Sequence, residues 1–164
     1  MRALVVTIST RAAGGVYEDV SGPVLVAGLE ALGFDVAGPT VVPDGPEIES
    51  VLLGAVHDRF DVVLTTGGTG LTPNDVTPEH TARVITREAP GIAEAIRAAG
   101  LAKGVPTAAL SRGRAGLAGE TLIVNLPGSK GGVKDGMAVL SELLVHAVEQ
   151  IRGGDHPRTD DGAT

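Results

Sequence analysis

The chain has 164 residues, enough for one domain with a full core and too few for two ordinary ones. A formal charge of −7 argues against nucleic acid as a partner, because phosphate-tracking proteins carry a basic surface. The absence of cysteine excludes disulfide frameworks, thiolate nucleophiles and zinc–thiolate sites.

The chain opens with "MRALVVTIST", in which residues 2–8 are an apolar run rich in β-branched residues and are expected to form a buried strand. That run is too short for a signal-peptide core, and no segment approaches the roughly 18 apolar residues of a membrane span, so a soluble, cytoplasmic protein is expected. Ser21 is placed to cap a helix reaching about Leu32, with Gly33 closing it. "FDVAGPTVV" is expected as a second strand, bent at Gly38-Pro39. Asp44 and Glu47 have capping-box spacing, ahead of a helix with Ile48, Leu52, Ala55 and Val56 on its apolar face.

Residues 61–66 form the third expected strand. Thr77-Pro78-Glu79 is a helix start, with threonine as the cap, and that helix is expected to end near Glu88. Pro90 opens another helix to about Lys103. "VPTAALS" and "TLIVNLP" are expected as strands four and five. A last helix, about 133–151, carries Val133, Met137, Leu140, Leu144, Ala147 and Ile151 on one side. From Gly153 the composition turns polar and Gly/Asp-rich, so 1–152 is expected as one domain and 153–164 as a disordered tail. Alternating strands and helices, with continuous apolar strands, predict an α/β fold: a mostly parallel sheet with helices on both faces. In such a sheet the ligand site lies outside the carboxyl ends of the strands. The loops "STRAAGG", "GGTGLTPND", "SRGRAG" and "PGSKGG" are expected to converge there.

The named nucleotide motifs are missing. No Gly-Lys pair exists for a Walker A loop, and Gly68 and Gly70 are followed by Pro73 where a Rossmann fingerprint needs a third glycine. What remains is the chemistry beneath both motifs: glycines that let backbone N–H groups approach an anion, beside a helix N-terminus at Pro78. Asp75, in that turn, either holds a hard cation such as Mg²⁺ against phosphate or makes an Asx turn. Asp44 is first explained by its capping spacing. Arg112, after Ser111, either meets a phosphate or is a solvated loop residue. Ser129-Lys130 suits anion contact or plain turn chemistry, and Thr69 donates to a phosphate or satisfies its own loop. His57, His80, His146 and His156 lack metal-ligand spacing, and no serine stands in a nucleophile elbow.

The ordered set "EDVSGP", "TTGGTG…DVTPE", "LSR" and "NLPGSKGG" resembles the molybdenum-cofactor family of MogA, MoaB and the gephyrin G domain, over roughly residues 2–152. The resemblance implies a three-layer α/β/α fold, commonly a homotrimer, and transfer of AMP from Mg-ATP to molybdopterin with release of pyrophosphate. It implies Asp75 and Asp44 as catalytic residues, Asp75 being the Mg²⁺ ligand. It further implies Gly67, Gly68, Thr69, Gly70, Thr77, Pro127, Gly128, Ser129 and Lys130 around nucleotide phosphate, and Ser111, Arg112 and Arg11 toward molybdopterin. Other molybdenum-cofactor proteins are the partners it suggests. The chain departs from the family pattern at Thr10 (usually Asp), Asn74 (usually Arg) and His80 (usually Ala), and the first two predict altered substrate or nucleotide affinity. The alternative is a module of the same fold that binds molybdopterin, or scaffolds partners, without AMP transfer.

Overall fold

The computed structural model describes residues 1–154. Its elements in chain order are β1 (Arg2–Ile8), α1 (Thr10–Ala13), α2 (Gly22–Ala31), β2 (Asp35–Val42), α3 (Glu47–His57), β3 (Val62–Thr66) and α4 (Thr77–Val84). There follow β4 (Arg87–Glu88), α5 (Pro90–Ala102), a 3-10 turn (Pro106–Leu110), β5 (Ala115–Ala118), β6 (Thr121–Leu126), α6 (Lys130–Ser141) and α7 (Leu144–Ile151). The six strands form one sheet in the order β2-β1-β3-β6-β5-β4. β2, β1, β3 and β6 run parallel, while β5 is antiparallel to both of its neighbours.

The central strands are apolar throughout because both of their faces are covered. Ala3 and Val5 of β1, Val62 and Leu64 of β3, and Leu122, Val124 and Leu126 of β6 point into a core shared with α2, α5, α6 and α7. The alternate residues Leu4, Val6, Val63 and Ile123 point the other way, against Ile48, Leu52 and Ala55 of α3 and Val84 of α4. This is the three-layer α/β/α arrangement. Where β1 meets β2 the register shifts between Leu4 and Val6, accommodating the bend at Gly38-Pro39. No helix among the described residues is long and apolar enough to cross a membrane.

Three local expectations are corrected. Residues 105–111 are not a strand: Pro106–Leu110 forms a 3-10 turn packed on α5, with Val105 and Leu110 exposed. The outer strands are instead the very short β4 and the Gly/Ala-rich β5, which carry little β-propensity and exist because β6 offers β5 a pairing edge and β5 in turn offers one to β4. The helix at Thr77 stops at Val84, since Ile85 is extended and Thr86 donates its N–H to Leu117 O. The last helical region begins at Lys130 and breaks at Glu142–Leu143, so Leu140 and Leu144, both fully buried, belong to different helices. The expected disordered tail falls, apart from Gly153 and Gly154, outside the described residues.

Asn125 joins the sheet to the loops. Its Nδ2 donates to Thr65 Oγ1 and Thr81 Oγ1, each at 3.0 Å, while its Oδ1 accepts from the Arg114 backbone N–H at 3.1 Å. Asn125, Thr65 and Thr81 are almost completely buried, so the network works only when complete. Replacing Asn125 with Leu strands the Arg114 N–H and removes the donors to both hydroxyls. This variant is expected to lose about 2–4 kcal/mol of unfolding free energy, to be measured by urea denaturation. A loss below about 0.5 kcal/mol, within the range of ordinary surface substitutions, would show that the network is dispensable.

Candidate functional site

β1, β3 and β6 end side by side, and the segments that follow them enclose a cleft of about 800 Å³. Among the residues expected at a site, Arg11, Asp44, Gly67, Gly68, Asp75 and Gly128 line it, together with Thr10 and Asn74. The expectation that loops gather at the carboxyl ends of the strands therefore holds for three of the four segments.

The turn after β3 is set by two glycines in the left-handed region. Gly67 has φ +100°, and a Cβ there would lie 2.1 Å from Ile8 O. Gly68 has φ +62°, and its Cβ would lie 2.3 Å from Thr77 Oγ1 and 2.8 Å from Asp44 Oδ1. Any side chain at either position collides with the neighbouring strand or the site itself. The Gly67 N–H is already used, donating to Leu126 O at 3.2 Å, so it extends the sheet and is unavailable to an anion. The N–H groups of Gly68, Thr69 and Gly70 have no acceptor among the described residues.

Both carboxylates at the turn are held through one oxygen. Asp44 Oδ2 accepts from the Thr10 N–H at 3.1 Å and from Thr10 Oγ1 at 2.8 Å, and the Asp44 N–H donates back to Thr10 Oγ1 at 3.2 Å. The expected capping box is thus absent: the N-cap of α3 is Pro46, and the Asp44 side chain faces β1's loop instead. Thr10 consequently fixes Asp44, where a second carboxylate at that position would repel it. Asp75 Oδ2 accepts from the Thr72 N–H at 2.9 Å and Thr72 Oγ1 at 2.7 Å, a contact three residues back and not the Asx turn two residues forward. Oδ1 of each aspartate has no hydrogen bond among the described residues.

The other expected residues build the loop from behind. Thr77 is buried and donates from Oγ1 to Gly67 O at 2.9 Å, so it ties the turn and caps nothing; the cap position is Val76. Thr69 is buried, with its Oγ1 accepting from Ser111 Oγ at 3.4 Å and its carbonyl from the Arg112 N–H at 2.8 Å. Arg112 donates from Nε to Gly70 O at 2.8 Å, from NH2 to Asp75 O at 2.5 Å, and from NH1 to Glu79. The Arg112 hydrogen bond holds the Glu79 carboxyl below its ordinary value, against a smaller desolvation in the opposite direction. Ser111 and Arg112 line a separate cavity of about 360 Å³, outside the Asp44–Asp75 cleft. Ser129 is the N-cap of α6, accepting from the Gly132 N–H at 3.1 Å, and Lys130 begins that helix. Pro127 O accepts from Thr66 Oγ1 at 2.7 Å. His80 lies between α3 and α4 against Glu49, away from the cleft.

Sequence reasoning passed over Asp19. Its Oδ1 accepts from the N–H groups of Ser21 and Gly22 at 3.0 and 2.9 Å, and its Oδ2 from Thr7 Oγ1 at 2.7 Å. Asp19, rather than the Ser21 side chain, satisfies the start of α2. The Ser21 hydroxyl instead donates to Gly128 O at 2.9 Å. An aspartate two residues ahead of the assigned cap is a readable signal, because a side-chain bond to an N–H two residues on is what aspartate favours.

Residues 4–146 match the family described as the probable molybdopterin binding domain. The chain is 36% identical over 156 residues to a protein of Helicobacter pylori named molybdopterin adenylyltransferase, covering 91% of this chain and 86% of that one. It is 38% identical over 155 residues to the molybdenum cofactor biosynthesis bifunctional protein of Synechococcus elongatus, covering 94% of this chain but 48% of the relative, so it spans about half that protein's length. Among solved structures, the Mog protein of Mycobacterium ulcerans superposes with a TM-score of 0.88 at 49% identity, covering 93% of this chain and 97% of that one. The MoaB of a Thermus species superposes at 0.86 with 42% identity, covering 93% and 96%. The matched segment runs from within β1 past the end of α6 and takes in every described wall of the cleft, and the chain belongs to the molybdopterin-binding family of MogA and MoaB.

Proposed function

We propose that residues 1–152 form one molybdopterin-binding domain that transfers AMP from Mg-ATP to molybdopterin, releasing pyrophosphate, in a cytoplasmic homotrimer serving molybdenum-cofactor biosynthesis. The observation that carries this reading is the pairing of Asp44 and Asp75 across a glycine turn. Each carboxylate is pinned by a threonine through Oδ2, and among the described residues Oδ1 of each is unbonded and three successive N–H groups of the turn lack acceptors. The names of the adenylyltransferase relatives support the reaction, and the longer bifunctional relatives support other molybdenum-cofactor proteins as partners.

The donor set fits a magnesium ion. Among the described residues no three His, Cys, Asp or Glu side chains gather. Magnesium does not need such a cage, since it keeps several waters and takes one or two carboxylates together with substrate phosphates. Asp75, with Asp44 beside it, would hold the ion, which when bound offsets the charge accumulating between two polyanions.

The chain's own residues do the rest. A phosphate oxygen of molybdopterin, already anionic, forms the new bond to the α-phosphorus as the bond to the bridging oxygen breaks and pyrophosphate leaves with that electron pair. No strong base is required, and none is offered. The Gly68–Gly70 amides stabilise phosphate charge from fixed positions, so the contribution is positional and electrostatic. Arg112 acts through the loop: it grips the carbonyls of Gly70 and Asp75 and thereby sets where the Asp75 carboxylate stands. Arg11, in the cleft, is the cation available to a ligand phosphate.

Asp75→Asn keeps an oxygen for Thr72 and the turn geometry, so it is expected to melt like the wild type while losing transfer of labelled AMP by at least about a hundredfold. Normal turnover by the folded variant would overturn the assignment. Wild-type protein that binds molybdopterin tightly without transferring AMP would be a carrier or scaffold instead. A second prediction concerns acid. Because Arg112 lowers the folded-state pKa of Glu79, this pair's contribution is full above the ordinary value of 4.5 and is lost as pH falls through the lower folded value. Melting temperatures recorded from neutral pH down through 4.5 are expected to fall further in the wild type than in Glu79→Gln. Identical profiles would remove the Arg112–Glu79 pair from the loop's support.

A further inference from the structure

Three aromatic side chains serve the whole chain. Phe34 and Phe60 are buried, one in each core, but Tyr17 is 60% exposed and lines the cleft. Among the described residues it is the only aromatic one on the cleft wall, and it stands in the segment between α1 and α2, with Val16 and Val20 also exposed around it. The guanidinium of Arg11 lies over the Tyr17 ring, 5.5 Å from its centroid, and Arg11 is the only Lys or Arg among the described residues on the cleft wall. Neither side chain is spent elsewhere among the described residues: Tyr17 makes no hydrogen bond, and Arg11 makes no ion pair. Besides its glycine amides and the carboxylates of Glu18, Asp19, Asp44 and Asp75, the cleft therefore presents an exposed aromatic ring with a cation over it.

We propose that Tyr17 is a stacking platform for the planar heteroaromatic ring of the ligand, with Arg11 placed to meet the phosphate that the ring carries. The inference rests on the cleft being the nucleotide and pterin site proposed above, and it assigns the ring's end of that site. A tyrosine face and a neighbouring guanidinium suit a ring of this kind because stacking is tolerant of ring identity while the cation selects for an attached anion. Adenine and pterin share this chemistry, and the test distinguishes them.

Tyr17 is the only tyrosine and the chain has no tryptophan, so intrinsic emission reports this ring alone. Calorimetric titrations with Mg-ATP, neopterin monophosphate and inorganic tripolyphosphate would be made on the wild type, Tyr17→Phe and Tyr17→Ala. Their melting temperatures serve as the check on folding. Tyr17→Ala is expected to weaken one ring-bearing ligand by about tenfold, Tyr17→Phe to stay near the wild type, and tripolyphosphate to be unaffected by either change. The same ligand should quench the wild-type tyrosine emission where tripolyphosphate does not. Loss confined to Mg-ATP assigns adenine to Tyr17, and loss confined to neopterin monophosphate assigns the pterin. If the wild type binds both ring ligands and Tyr17→Ala binds them equally well, stacking is wrong while the proposed function stands. If the wild type binds neither, both fall together.

Discussion

The cleft depends on the close approach of backbone at Gly67 and Gly68. β3 runs between β1 and β6, and its end has to turn with Ile8 O, Leu126 O, Thr77 Oγ1 and Asp44 Oδ1 all pressed around it. Only residues without a Cβ can take that path, in a backbone region that L side chains avoid. The turn brings Asp44, which follows β2, and Asp75, which follows β3, to one place. It also leaves the amides of Gly68, Thr69 and Gly70 without acceptors among the described residues. A loop poor in core residues is the result of that geometry, because its backbone contacts are made with other strands' ends and its carboxylate is turned outward.

Side chains that local spacing assigns to helix caps are used for something else here. Ser21, Asp44 and Thr77 all stand at or just before helix starts, and none of them caps its helix through its side chain. Ser21 holds Gly128 and Asp44 is joined to Thr10, so two short polar groups tie separate segments together, while Thr77 holds Gly67 and ties the turn after β3 to its own helix. The helix starts are satisfied by other means, as at α2, where Asp19 accepts from two N–H groups. A buried or half-buried loop needs such ties, since its carbonyls would otherwise be left without donors.

The distribution of charge separates two jobs. Glu18, Asp19, Asp44 and Asp75 line the cleft with Arg11 as the only Lys or Arg among the described residues there, so a polyanionic ligand would bring or require a cation. Arg112 and Arg114 lie on the far side of the loop and are paired with Glu79 and Glu88. Reading Arg112 as a ligand contact and reading it as loop support use the same residue, but its three donors are already committed to the segment carrying Asp75.

The sequence by itself determined the layers. Apolar runs at residues 2–8, 61–66 and 121–127 could satisfy their surface only in a sheet covered on both faces, and the apolar stripes of α3 and of the last helical region identified two of the covers. It also indicated where loops gather, because three glycine-rich segments follow parallel strands and line one cleft. Tertiary structure decided what pattern cannot carry. The 105–111 run has strand composition, yet it packs as a turn on α5, while Ala115–Ala118 becomes a strand because β6 presents an unpaired edge. The break at Glu142–Leu143 has no glycine or proline to announce it. The partners of Asp44, Thr77 and Arg112 lie 34, 10 and 37 positions away. Local spacing reports only the bonds a side chain can make within its own turn, and in this site the stronger claims come from residues that the sheet brings near.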